Sequence, residues 1–242
     1  MSSFVSTDVE YFHEGVRMIG LCRAPGEAAG KRPGVLIVHG AFGLDDYIVA
    51  VTERIAALGY VAFAADLWGE RLHLRSPAEF APMLGRFAAN RALWTGRLEA
   101  GRAALAGMPG VDAEQIAVIG YCFGGASALE MVRAGSAVAA AVSFHGGLDM
   151  VGDDWSQASP GARVLICSGA QDPFAGPKDL SRVEAGLSGA GVAWETNLYG
   201  NARHAFTEPD RPGAPPFAGY DAQADRRSWR AMTSLLADTL GS

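Results

Sequence analysis

Ile116-Ala117-Val118-Ile119-Gly120-Tyr121-Cys122-Phe123-Gly124-Gly125 decides how this chain folds. The apolar run Ile116 to Gly120 reads as a buried strand, and Gly124 to Ala134 reads as the helix that follows it. A side chain at the sharp turn between two such elements sits in a strained backbone conformation. Glycines two positions to either side are then required, because a Cβ there would clash. Cys122 holds that place in G-x-nucleophile-x-G spacing. The turn lifts the thiol into the crevice at the strand ends, and the helix N-terminus beside it favours thiolate over thiol. A cysteine among glycines is more commonly a small buried residue in a close strand-helix contact. What reverses that reading here is the rest of the chain.

Short apolar runs flank the elbow on both sides: Val35 to Val38, Tyr60 to Ala64, Ala139 to Phe144, Val164 to Cys167 and Ala193 to Leu198. They lack period-two alternation, as strands buried on both faces of a parallel sheet do. Between them lie helical patterns over Tyr47 to Leu58, Pro77 to Ala89, Trp94 to Ala106, Gly124 to Ala134, Pro177 to Leu187 and Asp221 to Leu240. This order predicts an α/β fold with a doubly wound, mostly parallel sheet. The more polar Val9 to Cys22 is expected to add an antiparallel hairpin at the sheet edge. Leu67 to Trp94 holds more helix than one crossover needs, which leaves material for a small helical cap over the strand ends. No repeat, low-complexity tract or linker interrupts the chain, so residues 1–242 read as a single domain.

In a sheet with such an elbow, the acid and the histidine follow the nucleophile in that order, in loops after later strands. Asp172 stands in Ser168-Gly169-Ala170-Gln171-Asp172-Pro173 after one predicted strand, and His204 in Asn201-Ala202-Arg203-His204-Ala205-Phe206 after the next. The expected catalytic set is therefore Cys122, His204 and Asp172. His204 would take the thiol proton or pair with a thiolate already formed, and later activate water. Asp172 would orient the imidazole and stabilise its cation. The backbone N-H of Phe123, next after the nucleophile, is one expected oxyanion donor. Ala41, in the turn His39-Gly40-Ala41-Phe42-Gly43, is the other.

Composition narrows the alternatives. The net charge is -6 and the arginines are scattered, which argues against nucleic-acid partners. Cys22, Cys122 and Cys167 are widely separated and have no C-x-x-C pairing, so neither a disulfide framework nor a metal site is expected. No apolar run reaches membrane-spanning length, and the polar, acidic start Met1 to Glu10 lacks the pattern of a secretory signal, so no membrane association and a cytoplasmic location are expected. Lys31 and Lys178 are the only lysines, and neither lies in an apolar setting suited to Schiff-base chemistry.

The segments Gly120 to Gly125, Gly169 to Asp172 and His204 to Phe206 resemble, in order, the G-Y-C-x-G-G elbow, the G-x-x-D turn and the H-x-F segment of the dienelactone hydrolase family. The likeness runs from about Pro33 to the end, through Ala65-Asp66-Leu67-Trp68-Gly69 and Tyr220-Asp221-Ala222. It implies the α/β-hydrolase fold and a cofactor-free hydrolase of lactones or small esters, monomeric or weakly dimeric, with a small-molecule ester or lactone as its partner. Two positions depart from the family pattern. Gly40 stands where the family carries a glutamate that helps activate the cysteine, which leaves activation to His204 and the helix dipole, or to Asp45 or Asp46. Glu208 stands where the family carries an arginine for the substrate carboxylate, which argues against an anionic substrate. Arg71, Arg86 and Arg91 are candidates to replace that charge.

For other residues the expectation is structural. His39 would brace its loop, His145 would be a satisfied histidine at a strand end, Asp66 would bond a nearby turn, and Cys167 would be inert core. Ser127 and Ser143 lack an elbow. Trp68 and Trp94 either line the pocket or pack beneath it. Two further readings stay open: a ligand-binding module in which Cys122 reacts once or not at all, and a thioesterase or another hydrolase on the same scaffold.

Overall fold

The computed structural model describes residues 4–26 and 30–241, and these fall into two compact units, divided between Val118 and Ile119. In the first unit an antiparallel hairpin comes first, β1 (Phe4–His13) and β2 (Val16–Pro25), closed by Glu14-Gly15. Both turn residues have positive φ, 48° and 75°. The hairpin expected over Val9 to Cys22 is present, and it runs longer at both ends. It joins the larger sheet through β2, which pairs antiparallel with β4 (Val61–Ala65). β3 (Arg32–Val38) pairs parallel with β4, in the register Gly34↔Val61 to Val38↔Ala65. Val35, Leu36, Ile37 and Val38 are all fully buried, as a strand covered on both faces must be.

Helix α1 (Asp46–Ala56) connects β3 to β4 and starts at Asp45, whose carboxylate accepts from the N-H of Ile48 at 3.1 Å. Asp45 is thereby used as a cap. After β4 come α2 (Pro77–Ala89) and α3 (Arg91–Ala106). α3 begins three residues before the predicted Trp94, because the Asn90 side chain caps it by accepting from the N-H of Leu93 at 3.0 Å. α2 is the extra helical material of the crossover. Phe87 is its one buried residue, packed at a tilt against Trp68, while Phe80 packs edge-on against Phe42. These contacts set α2 beside the loops that leave the C-terminal ends of β3 and β4, where a cap was expected.

β5 (Val111–Tyr121) runs to the elbow and carries the chain into the second unit. It starts five residues before the predicted Ile116, since Asp112, Glu114 and Gln115 are polar and hide its beginning. There follow α4 (Phe123–Arg133), β6 (Ala140–Phe144), β7 (Arg163–Gly169), α5 (Pro177–Gly189), β8 (Ala193–Tyr199) and α6 (Ala222–Leu240). β6 pairs parallel with β7, and β7 with β8. β6 and β7 are buried almost throughout, whereas Ala193, Trp194 and Glu195 of β8 are exposed, as befits the last strand in the order. Asp221 caps α6 by accepting from the N-H groups of Gln223 and Ala224, both at 2.9 Å. Among the described residues, no helix is long and apolar enough to cross a membrane.

Candidate active site

Cys122 is the N-cap of α4, with φ 56° and ψ -116°, a left-handed conformation that side chains avoid. It persists because close packing determines the backbone on both sides. A Cβ at Gly120 would overlap the carbonyl oxygen of Gly124, and one at Gly125 would come within 2.8 Å of the Gly146 Cα. The N-H of Cys122 lies 3.1 Å from the Phe144 carbonyl and 3.2 Å from Nδ1 of His145, so it is shared between the end of β6 and the first residue after it. The helices capped by Asp45, Asn90 and Asp221 receive a side-chain bond, but α4 has none from its own N-cap. Its cap residue is the cysteine, and the thiol is half-buried while Cys22 and Cys167 are buried.

The loops after β7 and β8 are laced together. The N-H of Ala170 donates to the Tyr199 carbonyl at 2.9 Å and that of Gln171 to the Ala202 carbonyl at 3.0 Å, and Gly169 leaves no room for a Cβ against the Ala202 backbone. This lacing brings the acid to the base. Asp172, buried, accepts from the N-H of Phe174 through Oδ1 at 2.9 Å and meets Nδ1 of His204 through Oδ2 at 2.8 Å. Nε2 of His204 lies 3.2 Å from the Cys122 Sγ. The histidine's own backbone is held on both sides, its N-H donating to the Phe217 carbonyl and its carbonyl accepting from Gly219, each at 3.0 Å. Phe174 packs edge-on to the His204 ring, with Phe217 edge-on to Phe174.

A carboxylate that accepts from Nδ1 fixes the imidazole proton there and leaves Nε2 facing sulfur. Burial alone would lower the His204 pKa, but the negative charge on Cys122 and the bonds to Asp172 and Cys122 outweigh it. The imidazole is held well above its ordinary range. The arrangement favours the protonated imidazole beside the Cys122 sulfur. It can deliver a nucleophile and return a proton to a leaving group.

The structure brings Cys122, Asp172, His204 and Phe123 together in the second unit. Ala41 belongs to the first unit, in the turn after β3, where its carbonyl accepts from the Trp68 indole N-H at 3.2 Å. Gly40 accepts there from Nδ1 of His39 at 2.8 Å, and Nε2 of His39 accepts from the N-H of Leu67 at 3.1 Å. His39 therefore braces the two loops, and its burial holds its pKa below the ordinary value. Asp66 accepts from the N-H groups of Ile19, Gly69 and Arg71 and organises the Trp68 turn. Trp68 and Trp94 are buried packing residues. Arg71 pairs with Asp8 on β1 at 2.8 Å, Arg86 is exposed on α2, and Arg91 lies over the Trp94 ring at 5.2 Å. Glu208 pairs with Arg211 at 3.5 Å. Ser127 donates to the Phe123 carbonyl at 2.9 Å, and Ser143 is buried against Gly125 and Gly146. Burial pushes the Cys167 thiol up to about 12, which keeps it unreactive. Sequence reasoning placed His145 at a strand end but missed its bond to the elbow. It also missed Thr207, Phe174 and Phe217, for no spacing rule singles them out.

The family model described as the dienelactone hydrolase family matches residues 18–240. A putative carboxymethylenebutenolidase of Salmonella typhimurium is 26% identical over 88% of this chain and 80% of its own length. Among solved structures, a dienelactone hydrolase-like promiscuous phosphotriesterase from metagenomic libraries is 35% identical, covers 99% of this chain and 100% of its own, and superposes with a TM-score of 0.93. A putative dienelactone hydrolase of Klebsiella pneumoniae shares the fold at 22% identity, with a TM-score of 0.80 over 97% of this chain and 99% of its own.

Proposed function

The chain belongs to the dienelactone hydrolase family, of the α/β-hydrolase superfamily, and from that premise we propose that it hydrolyses an ester or lactone bond by attack of the Cys122 thiolate. The observation that carries this reading is the line from Asp172 Oδ2 through His204 to Cys122 Sγ, with steps of 2.8 and 3.2 Å. The thiolate adds to the carbonyl carbon, and the C-S bond forms as the carbonyl electrons move to oxygen. The N-H of Phe123, by its place after the nucleophile at the start of α4, donates to that oxyanion. Collapse breaks the bond to the alkoxide, which takes the proton from His204 and leaves an acyl thioester. In a lactone the freed hydroxyl stays tethered to the acyl group. Water then adds to the thioester while giving a proton to His204. Loss of the carboxylic acid product restores the thiolate and the imidazolium. Asp172 stays ionised throughout and keeps the ring in place.

The substrate we propose is uncharged near its carbonyl group. Glu208, four residues beyond His204, brings a carboxylate where the family places a cation for an anionic substrate, and like charges repel. The test is turnover of p-nitrophenyl acetate, simple lactones and their carboxylate-bearing analogues by the parent and by Cys122→Ala. A phosphate triester joins the panel because the metagenomic relative is described as a phosphotriesterase. Cys122→Ala is expected to lower kcat by roughly a thousandfold or more, with the circular dichroism of the parent. A variant as active as the parent would sink the mechanism. Parity between neutral and anionic substrates would remove the role given to Glu208.

A further inference from the structure

We propose that His145 is the positioning residue of the nucleophile: its imidazole joins the Cys122 elbow to the segment that bears His204, and it does so in a single neutral form whose proton points at Thr207. The proposal rests on the reading of Cys122 as the nucleophile. Nδ1 of His145 lies 3.2 Å from the Cys122 nitrogen and Nε2 lies 2.7 Å from Thr207 Oγ1. A backbone N-H can only donate, so Nδ1 supplies the lone pair and the ring proton sits on Nε2, donating to the hydroxyl. Thr207 stands three residues beyond His204 in the same segment. One fully buried ring thus links the turn that carries the sulfur to the segment that carries its base.

The backbone supports the same assignment. Among the described residues of the second unit, the non-glycine positions with positive φ are Cys122 at 56°, His145 at 38° and Ala205 at 56°. They are the nucleophile, the linking histidine and the residue after the base. Conformations of this kind persist only where the surroundings over-determine them, and they gather at functional sites.

The titratable groups around His145 are His204, whose ring centre is 5.5 Å away with Asp172 behind it, Tyr121, whose ring centre is 6.0 Å away, and Cys122 itself. Phe206 closes the remaining side at 5.2 Å. A second proton on His145 would have to occupy Nδ1, which breaks the bond from the elbow and sets a cation beside the His204 imidazolium. Burial and the charge of His204 both hold the ring neutral. The proton that leaves Sγ is therefore directed to Nε2 of His204, 3.2 Å away.

Three variants divide the bracket. His145→Leu removes both of its bonds, His145→Asn keeps an acceptor near the position of Nδ1, and Thr207→Val removes the far end. Two readouts are needed: kcat and KM on p-nitrophenyl acetate, and the pH profile of iodoacetamide labelling of Cys122, which requires no turnover. His145→Leu is expected to slow labelling at about pH 6 by roughly tenfold, where ordinary thiols react little. It should also lower kcat by about 10- to 100-fold with KM within about threefold. His145→Asn should recover most of both, and Thr207→Val should move both the same way by less. Folded His145→Leu with the parent's labelling profile overturns the proposal, whatever its kcat. If His145→Leu does not fold, Thr207→Val decides, and parent-like behaviour in both readouts overturns the proposal. Should Cys122→Ala keep esterase activity while labelling still shifts in His145→Leu, the hydrolytic mechanism fails and the bracket stands.

Discussion

At the scale of the residue, the protonation of the His204 imidazole is set by its two neighbours, Cys122 and Asp172. The His204 imidazole is buried, which by itself favours its neutral form, yet its pKa is held above the ordinary range by the Cys122 sulfur 3.2 Å away and by Asp172 on its far side. In Cys122→Ala the sulfur is gone while burial remains, so the His204 titration should move down in pH relative to the parent. Imidazole resonances followed by NMR across pH would show this, and an unmoved titration would mean that the sulfur carries no charge beside the ring. Asp172→Asn should lower kcat by roughly 100- to 10,000-fold, because an amide offering N-H to Nδ1 favours the wrong tautomer. The bond from the N-H of Phe174 to Oδ1 can survive that change, so the fold should be kept. Steady-state kinetics paired with circular dichroism checks both halves of the statement.

Elements matter here through what their ends deliver. The strand β5 places Cys122, the loop after β7 places Asp172, and the loop after β8 places His204, all of them C-terminal ends, where open α/β sheets present their chemistry. α4 must therefore stay seated beneath Cys122, and its far end is anchored by a buried ion pair. Glu130 is fully buried, bonded to Arg133 at 2.8 and 3.0 Å and to the N-H of Gly152 at 2.7 Å, while Arg133 reaches the Asp154 carbonyl at 2.8 Å. Arg133→Ala would take the guanidinium from that buried carboxylate, at a cost of about 3–5 kcal/mol. Urea unfolding should record the loss, with kcat of the folded fraction close to the parent's. The elements were largely legible beforehand, because runs such as Val35 to Val38 are apolar on both faces only in a covered sheet. Their limits were less so. Polar Asp112, Glu114 and Gln115 concealed the start of β5, and the capping role of Asn90 lies in a side-chain bond that periodicity does not register.

For the molecule as a whole, two histidines are kept neutral by burial, His39 in the first unit and His145 in the second. A group whose pKa is depressed on folding contributes stability above its unfolded value, near pH 6.5, and that contribution is lost as pH falls toward its folded value. His204 acts in the opposite sense. Its raised pKa gives a contribution fully present below about pH 6.5 and lost only as pH climbs through the folded value. The urea midpoint should therefore decline from about pH 7 to about pH 5, before most carboxylates titrate. A flat midpoint over that window would mean that neither His39 nor His145 is held neutral. The three members of the candidate site were legible in the sequence because chain order and turn spacing are one-dimensional signals. The bond from Cys122 to His145 was not, since it depends on where β6 ends beside the elbow in space. A last consequence follows from how the sulfur atoms are distributed. Cys22 and Cys167 are buried, and Cys122 alone is partly open to solvent. On the proposed mechanism, peroxide should thus silence the enzyme at a single atom, first as a sulfenic acid that a reducing agent reverses and then, with longer exposure, beyond rescue. On that mechanism, the working life of the catalyst in air is the life of one thiol.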